Sequence, residues 1–316
     1  MKIWTNAPLS ERARELLRKG VAEHDLVFAD ELPADAALCA LREADIAFGQ
    51  PDAGVVIESQ TLRWVQVSSA GYTAYDRDDV RAALRKRGAV MTNSSRVFSE
   101  PCAQHLLAMM LAEARQLLPA AQSQRTDHAW HSNEQRANSF LLNEQSVLIL
   151  GYGAIARRLI ELLAPFEMRI TAMRRAKRGD EAISILLESE VEVALGAADH
   201  VVNILPDTDA TRGWMNAARF ALMKTGARFY NIGRGATVDQ DALLAALSQD
   251  RLALAYLDVT EPEPLPPDHP LWNAPNCHIT PHTAGGHRGE EERLVAHFVR
   301  NLRAFERGEA LADQVF

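Results

Sequence analysis

The chain has 316 residues, enough for one large or two medium domains with a sizeable core. Hydrophobic residues at 47% and charged residues at 24% exclude wholesale disorder, and a net charge of −8 argues against general binding to nucleic acid or membrane surfaces. No stretch approaches 18 uninterrupted apolar residues, and the start, MKIWTNAPLSERAREL, has neither a long apolar core nor a small-residue cleavage site, so a cytoplasmic protein is expected.

In chain order, the short apolar runs KIWT, LVFA, DIAFG, WVQVS and AVMT each precede polar or helical stretches such as LSERARELLRK and DRDDVRAALRKRG. This is the rhythm of βα units and a parallel sheet. From about Glu100, PCAQHLLAMMLAEARQLLPAAQ reads as a long helix with Pro101 in its first turn. Next comes RTDHAWHSNEQRANSFLL, where His128 and His131 flank Trp130 and read as a surface or interface pair rather than a metal site. A second βα series starts at Ser146: VLILG, RITAM, HVVNIL, RFYNIG, ALAYLDV and CHITPH. The Pro-rich EPEPLPPDHP between the last two is a rigid loop, because a strand pattern follows at once. GEEERLVAHFVRNLRAFERGE ends the chain as an amphipathic helix expected to pack back on the first unit. The whole reads as two doubly wound α/β units without internal repeats. Cys39, Cys102 and Cys277 are odd in number and far apart, which suits a reducing compartment, and all three are expected as buried small hydrophobes. No HxxxH or HExxH spacing on a helix supports a metal.

The stretch VLILGYGAIA gives Gly151, Gly153 and Ala156 in the pattern G-x-G-x-x-A, between a strand and the helix ARRLIELLAPF. Both flanks have the context that a dinucleotide-binding turn needs. Gly151 permits the tight turn, Gly153 lets backbone approach a pyrophosphate, and Ala156 keeps the helix close to the sheet. The helix N-terminus then offers N–H groups and a positive dipole end to the phosphates. Tyr152, Ala154 and Ile155 belong to the same turn. After the next strand, where an acid would bind the adenosine ribose, Arg174 stands 23 positions beyond Gly151. With Arg175, Lys177 and Arg178 it makes four cations in the five residues RRAKR. An arginine here accommodates a ribose 2′-phosphate, so NADP(H) is the expected cofactor, with NAD(H) possible.

Three further motifs fall at strand ends: NIGRGATVD, LDVTEPEPLP and ITPHTAGGH. With the glycine turn they resemble the D-2-hydroxyacid dehydrogenase family, whose members carry N-x-x-R-G, D-V-x-x-x-E-P and T-P-H in this order. VSSAGYTAYD is similar to the family's S-A-G-x-x-x-x-D loop, and ALMKTGARFYNIGRGATVDQDALLAAL matches its best-known block nearly throughout. The likeness covers essentially the whole chain. It implies a catalytic set of Arg234, Glu263 and His282. Reducing a 2-oxo acid requires a hydride on the carbonyl carbon, a proton on its oxygen and an anchor for the carboxylate. Arg234 is a permanently charged fork suited to the carboxylate, and histidine is the side chain that exchanges protons near neutral pH. Glu261 and Glu263 both precede a proline, and the family spacing from Asp258 selects Glu263 as the partner of His282. Asp258 is implied as a contact to the nicotinamide carboxamide. Pro206, Ile232 and Gly233 are further expected cofactor contacts, with Gly233 and Gly235 leaving room near the nicotinamide. The backbone amides of Ser69, Ala70 and Gly71 are expected to hold the substrate carboxylate, as a nest of N–H groups suits an anion. Phe48, Gln50, Tyr72 and His287 are candidates for the pocket wall.

The family also implies the architecture. Two Rossmann-like domains with parallel sheets are expected, a discontinuous substrate domain of residues 1–98 and 285–316 around a dinucleotide-binding domain of 99–284. Hinges near Ser99 and Ala284 and a homodimer built through the nucleotide domain follow from the same likeness. The expected activity is NADP(H)-preferring reduction of a small 2-oxo acid such as glyoxylate or hydroxypyruvate. Alternatives are an NAD-linked dehydrogenase of another D-2-hydroxy acid or a phosphite-like substrate, and a dinucleotide-sensing binding protein of the corepressor type. Departures from the family are Arg174 in place of the ribose acid and Gln104 where a glutamate is usual. Ala70 stands where phosphite dehydrogenases carry lysine, and Glu263 where formate dehydrogenases use glutamine.

Overall fold

Strands form where the apolar runs fall, because a parallel sheet buried on both faces selects near-continuous β-branched and aromatic sequence. In a computed structural model, which describes residues 1–179 and 181–316, the chain divides into two units, Met1–Phe98 with Gly286–Phe316, and Ser99–Gly285. The first unit carries β1 (Lys2–Thr5), β2 (Asp25–Phe28), β3 (Ile46–Gly49), β4 (Trp64–Val67) and β5 (Val90–Thr92). Their order is β2-β1-β3-β4-β5, all parallel. Alternate residues feed two cores. Ile3, Ile46, Phe48 and Trp64 pack in one, while Trp4, Ala47, Val65 and Val67 pack in the other. The helix Glu290–Glu306 lies over the first of these cores through Leu294, Val295, Phe298 and Leu302. The Phe298 ring stacks on Phe48 at 4.4 Å and on Trp64 at 5.1 Å. Phe48, a candidate pocket wall from sequence, is thus a fully buried core residue. Stacked aromatic burial of this kind explains why the C-terminal segment belongs to the N-terminal unit.

The second unit carries β6 (Ser146–Leu150), β7 (Arg169–Met173), β8 (Ser184–Leu186), β9 (His200–Asn203), β10 (Ala227–Asn231), β11 (Leu252–Leu257) and β12 (Cys277–Ile279). The order is β12-β11-β10-β9-β6-β7-β8, again all parallel. Strand order reverses between β6 and β9, and open sheets of this type bind ligands outside the carboxyl ends at such a reversal. Among the described residues no helix is long and apolar enough to cross a membrane.

Three local expectations are corrected. β8 was not foreseen, since it is only three residues long and pairs with β7 alone at the sheet edge. The long helix runs from Ser95 to Ala114, so Pro101 sits in its interior instead of its first turn. Its start is set further back, where Asn93 accepts the Ser95 amide at 3.2 Å, and the ring costs the helix the N–H that would have reached the Val97 carbonyl. Cys39 is exposed, in contrast to buried Cys102 and half-buried Cys277. On its helix it falls between the core-facing Ala37, Ala40 and Leu41, on the solvent side.

His200 at the start of β9 is completely buried. Its Nδ1 meets the Tyr230 hydroxyl and its Nε2 the Gln145 side-chain oxygen, each at 3.1 Å. A neutral imidazole, with one donor and one acceptor nitrogen, satisfies both. Burial, reinforced by the nearby Arg228 cation, pushes its pKa down to about 3. The unfolded chain takes up this proton near the ordinary histidine value while the folded chain does not, so acidification between these two values favours unfolding. The expected slope from this residue is about 1.4 kcal/mol of lost stability per pH unit. Burial lowers His278 and His297 as well, with the same sign. Denaturant unfolding at pH 6.5 and 4.5 should therefore show a smaller loss for His200→Gln than for the unchanged chain, and equal losses would refute the assignment.

Candidate functional site

The glycine turn follows β6 directly. Gly151 has φ +110°, a conformation that side chains rarely adopt, and its amide donates to Met173 O at 3.1 Å. A Cβ there would also lie 3.2 Å from the Ile204 carbonyl of the strand-end loop after β9, so the turn sits at the reversal of strand order. Gly153 caps the helix Ala154–Leu163 without a side-chain hydrogen bond, and a Cβ there would meet nothing within 4 Å. Ala156 is buried against the sheet. Ala154 and Ile155 form the half-buried first turn. An uncapped helix start with open space in front of its glycine suits the pyrophosphate of a dinucleotide.

Arg174 follows β7, and its amide donates to Leu186 O of β8 at 3.0 Å. The Tyr152 ring lies under two guanidinium groups, with Arg157 at 5.1 Å and Arg174 at 5.6 Å from its centroid. Arg175 and Arg178 are exposed, and Lys177 pairs with Glu190 at 3.3 Å. An acid does reach Arg174 from further along the chain: Glu181 Oε1 accepts from its guanidinium at 2.7 Å.

Arg234 lies in the loop after β10. The loop is held by a buried polar cluster in which Asn203 Nδ2 donates to Asn231 Oδ1 at 3.1 Å and to Thr237 Oγ1 at 2.7 Å. Asn231 Nδ2 and the Thr237 hydroxyl both donate to the Arg234 carbonyl, at 3.2 and 2.7 Å, and Asn231 Oδ1 accepts the Gly233 amide at 3.1 Å. This is the physical content of N-x-x-R-G: the asparagine shapes the loop that presents the arginine. The Arg234 side chain donates to its neighbour Gly233 O at 2.7 Å. Ile232 beside it is buried. The glycines are also required by the chain's own packing. A Cβ on Gly235 would fall 1.9 Å from Thr260 O, and one on Gly233 2.7 Å from Leu205 O, so the space is taken by the chain's own strand-end loops. Pro206, next to Leu205, is exposed, and its carbonyl accepts the Thr211 hydroxyl at 2.5 Å.

Asp258 ends β11 with only 3% of its surface exposed. Its Oδ1 accepts the Thr280 hydroxyl at 2.6 Å and the amides of Thr283 and Ala284 at 2.9 and 3.1 Å, and Oδ2 accepts Ala284 N at 3.0 Å. The Asp258 carbonyl takes the His282 amide at 2.8 Å. This carboxylate holds the turn after β12, in which His282 adopts φ +52°. Further hydrogen bonds feed Asp258. The Thr280 proton goes to Asp258, so Tyr256, 2.5 Å from Thr280 Oγ1, is the donor there, and His105 Nε2 donates to the Tyr256 oxygen.

Of the two glutamates, Glu263 reaches the histidine. Its Oε2 lies 2.8 Å from His282 Nδ1, and its Oε1 accepts the Thr260 amide at 3.0 Å. Glu261 is instead pinned through its backbone, its amide and carbonyl paired with the Gln240 side chain at 2.9 and 2.6 Å. Because a carboxylate only accepts, the His282 Nδ1 carries the hydrogen of that bond, which leaves Nε2 for proton exchange. The pair borders a cavity of about 340 Å³ lined also by Thr280, Pro281, Trp272 and Leu265.

Ser69, Ala70 and Gly71 belong to the first unit, after β4. The Ser69 hydroxyl donates to Gly71 O at 2.5 Å, Gln50 Nε2 donates to Ser69 Oγ at 3.1 Å, and Asn93 Nδ2 donates to Ala70 O at 2.7 Å. Gln50 is therefore a brace of this loop. The Gln104 amide, the family's usual glutamate, donates to Glu100 Oε1 at 2.5 Å, and Glu100 also pairs with Arg158. His131 contacts Asp127 at 3.1 Å, and among the described residues no cluster of histidine, cysteine and acid could hold a metal. Asn203, Thr237, Tyr256, Thr280, His105 and Glu181 join this polar framework without being expected from sequence. Thr237 and Thr280 stand inside the motifs NIGRGATVD and ITPHTAGGH, but the others lie in strands, helices or loops where nothing in the spacing singles them out.

The model of the D-isomer specific 2-hydroxyacid dehydrogenase NAD-binding domain matches residues 107–284. The chain is 32% identical over 285 residues to a glyoxylate reductase of Aeropyrum pernix, covering 87% of this chain and 84% of that one. It is 31% identical over 257 residues to the glyoxylate reductase/hydroxypyruvate reductase of Homo sapiens, covering 80% and 77%. A D-isomer specific 2-hydroxyacid dehydrogenase of Xanthobacter autotrophicus, solved with NADPH and MES, superposes with a TM-score of 0.82 at 28% identity, covering 99% and 97%. With two parallel sheets, a glycine turn at the strand reversal and the His282–Glu263 pair, the chain belongs to the D-isomer specific 2-hydroxyacid dehydrogenase family and is an NAD(P)-dependent oxidoreductase.

Proposed function

We propose that the chain is an NADP(H)-preferring reductase of a small 2-oxo acid of the glyoxylate or hydroxypyruvate class, yielding the D-2-hydroxy acid. The observation that carries this reading is the 2.8 Å contact between His282 Nδ1 and Glu263 Oε2 at the carboxyl ends of β11 and β12. Names of relatives add support, since those from Aeropyrum pernix and Homo sapiens are glyoxylate reductases and the Xanthobacter autotrophicus structure holds NADPH. In this reading the second unit holds the cofactor, with the pyrophosphate at Gly153 and the start of the helix Ala154–Leu163, and the 2′-phosphate at Arg174 and Arg175. The first unit contributes Ser69–Gly71, whose amides donate no hydrogen bond among the described residues and so suit a carboxylate.

Bound nicotinamide supplies the hydride that reduces the carbonyl carbon. The chain's residues do the rest. Arg234 exchanges its contact to Gly233 O for the substrate carboxylate, a bidentate pairing that orients the carbonyl and draws electron density from it. His282 Nε2 gives its proton to the carbonyl oxygen, which would otherwise carry the negative charge left by reduction. Glu263 fixes the imidazole through Nδ1 and stabilises it while it is positively charged. In the oxidative direction the same Nε2 takes the hydroxyl proton.

The test is initial-rate oxidation of NADPH and of NADH with glyoxylate, hydroxypyruvate and other short 2-oxo acids. NADPH should give the higher kcat/KM, and Arg174→Asp should reverse that order. Absence of turnover with every 2-oxo acid would sink the reductase reading, and a preference for NADH would sink the phosphate role of Arg174. His282→Gln should lower kcat by about 10²- to 10⁴-fold, the usual size of a general-acid contribution, with little change in NADPH affinity. A kcat within about threefold of the unchanged enzyme would remove His282 from the proton-transfer step.

A further inference from the structure

The arginine cluster already contains an anion of its own. Glu181 Oε1 accepts from the Arg174 guanidinium at 2.7 Å and from the Arg178 amide at 2.8 Å, and Oε2 accepts from the Gly179 amide at 2.8 Å. The Arg174 and Glu181 side chains are only 14% and 7% exposed, so this is an enclosed arrangement rather than a loose surface pair. The Arg178 amide, with those of Gly179 and the Arg174 guanidinium, holds the Glu181 carboxyl below the usual carboxylate range. A planar guanidinium converging with neighbouring backbone amides is the donor set that also suits a phosphate group.

We propose that Glu181 is an internal competitor for the anion subsite built by Arg174 and the amides of Arg178 and Gly179, and that it sets how strongly NADP(H) is preferred over NAD(H). This rests on the assignment of Arg174 to the adenosine ribose. With NAD(H), the carboxylate stays on its three donors and neutralises Arg174. With NADP(H), the 2′-phosphate carries nearly two negative charges onto the same donors, and Glu181 must leave. Its departure lowers the affinity for the phosphorylated cofactor alone. Glu181 is only seven positions beyond Arg174 in the chain, so its carboxylate is present at high local concentration whenever the phosphate is absent.

Fluorescence titration of the full-length protein with NADPH and with NADH tests this in Glu181→Gln, Glu181→Ser and Arg174→Ala. Both Glu181 variants should bind NADPH about fivefold to tenfold more tightly, the scale of one removed like charge, and should bind NADH within about twofold of the unchanged protein. Serine guards against a glutamine that mimics the carboxylate in shape. Unchanged or weaker NADPH binding in both variants would overturn the proposal and make Glu181 a support for Arg174. Weaker NADPH binding in Arg174→Ala, without a gain in the Glu181 variants, would overturn this inference while leaving the ribose assignment intact. An Arg174→Ala protein with an unaltered NADPH to NADH ratio would overturn both.

Discussion

One buried carboxylate organises the chemistry-bearing edge of the second unit. Asp258 closes β11 and gathers the Thr280 hydroxyl and the amides of Thr283 and Ala284, with its own carbonyl on the His282 amide. A charge 3% exposed is costly unless its hydrogen bonds are complete, so the turn after β12 has little freedom to move while the carboxylate stays buried. That turn fixes where His282 leaves the backbone. Glu263, from the loop after β11, then meets its Nδ1. The position of the His282–Glu263 pair is thus a consequence of a backbone-to-carboxylate arrangement rather than of the pair's own attraction, which at half-exposed side chains is weak.

The same logic governs the neighbouring strands. Parallel strands bring their carboxyl ends to one edge, and two of the edge loops here are held by buried polar groups: Asn203, Asn231 and Thr237 for the Arg234 loop, Asp258 for the His282 turn. Close backbone approach does the remainder. Gly235 lies where any side chain would overlap the Thr260 carbonyl, so the Arg234 loop and the Glu263 loop are fitted to each other through glycine. In the proposed reaction, Arg234 as anchor and His282 as proton donor would need this precise placement on rigid strand ends.

Much of this was legible in the sequence because it is written in local pattern. Apolar runs marked eleven of the strands, since burial on both faces demands them, and the motif residues Arg234, Glu263 and His282 stand at strand ends where the order of loops is the order of the chain. What the sequence hid depends on side chains meeting across loops. β8 is too short to show a pattern, and the Arg174–Glu181 contact joins residues with no periodic relation. The close approach of Gly233 to Leu205 and of Gly235 to Thr260 likewise joins loops far apart in the chain. Cys39 and Pro101 show the limit of residue-type preferences, which helix face and tertiary packing override.

If His282 and Glu263 act as one unit, their losses cannot add. The decisive measurement is kcat/KM for NADPH-dependent glyoxylate reduction in the unchanged enzyme, Glu263→Gln, His282→Gln and the double variant. The double variant should be no slower than His282→Gln alone, because a glutamate without its imidazole has nothing left to orient. Losses that multiply across the two substitutions would contradict the pairing and assign the residues independent roles.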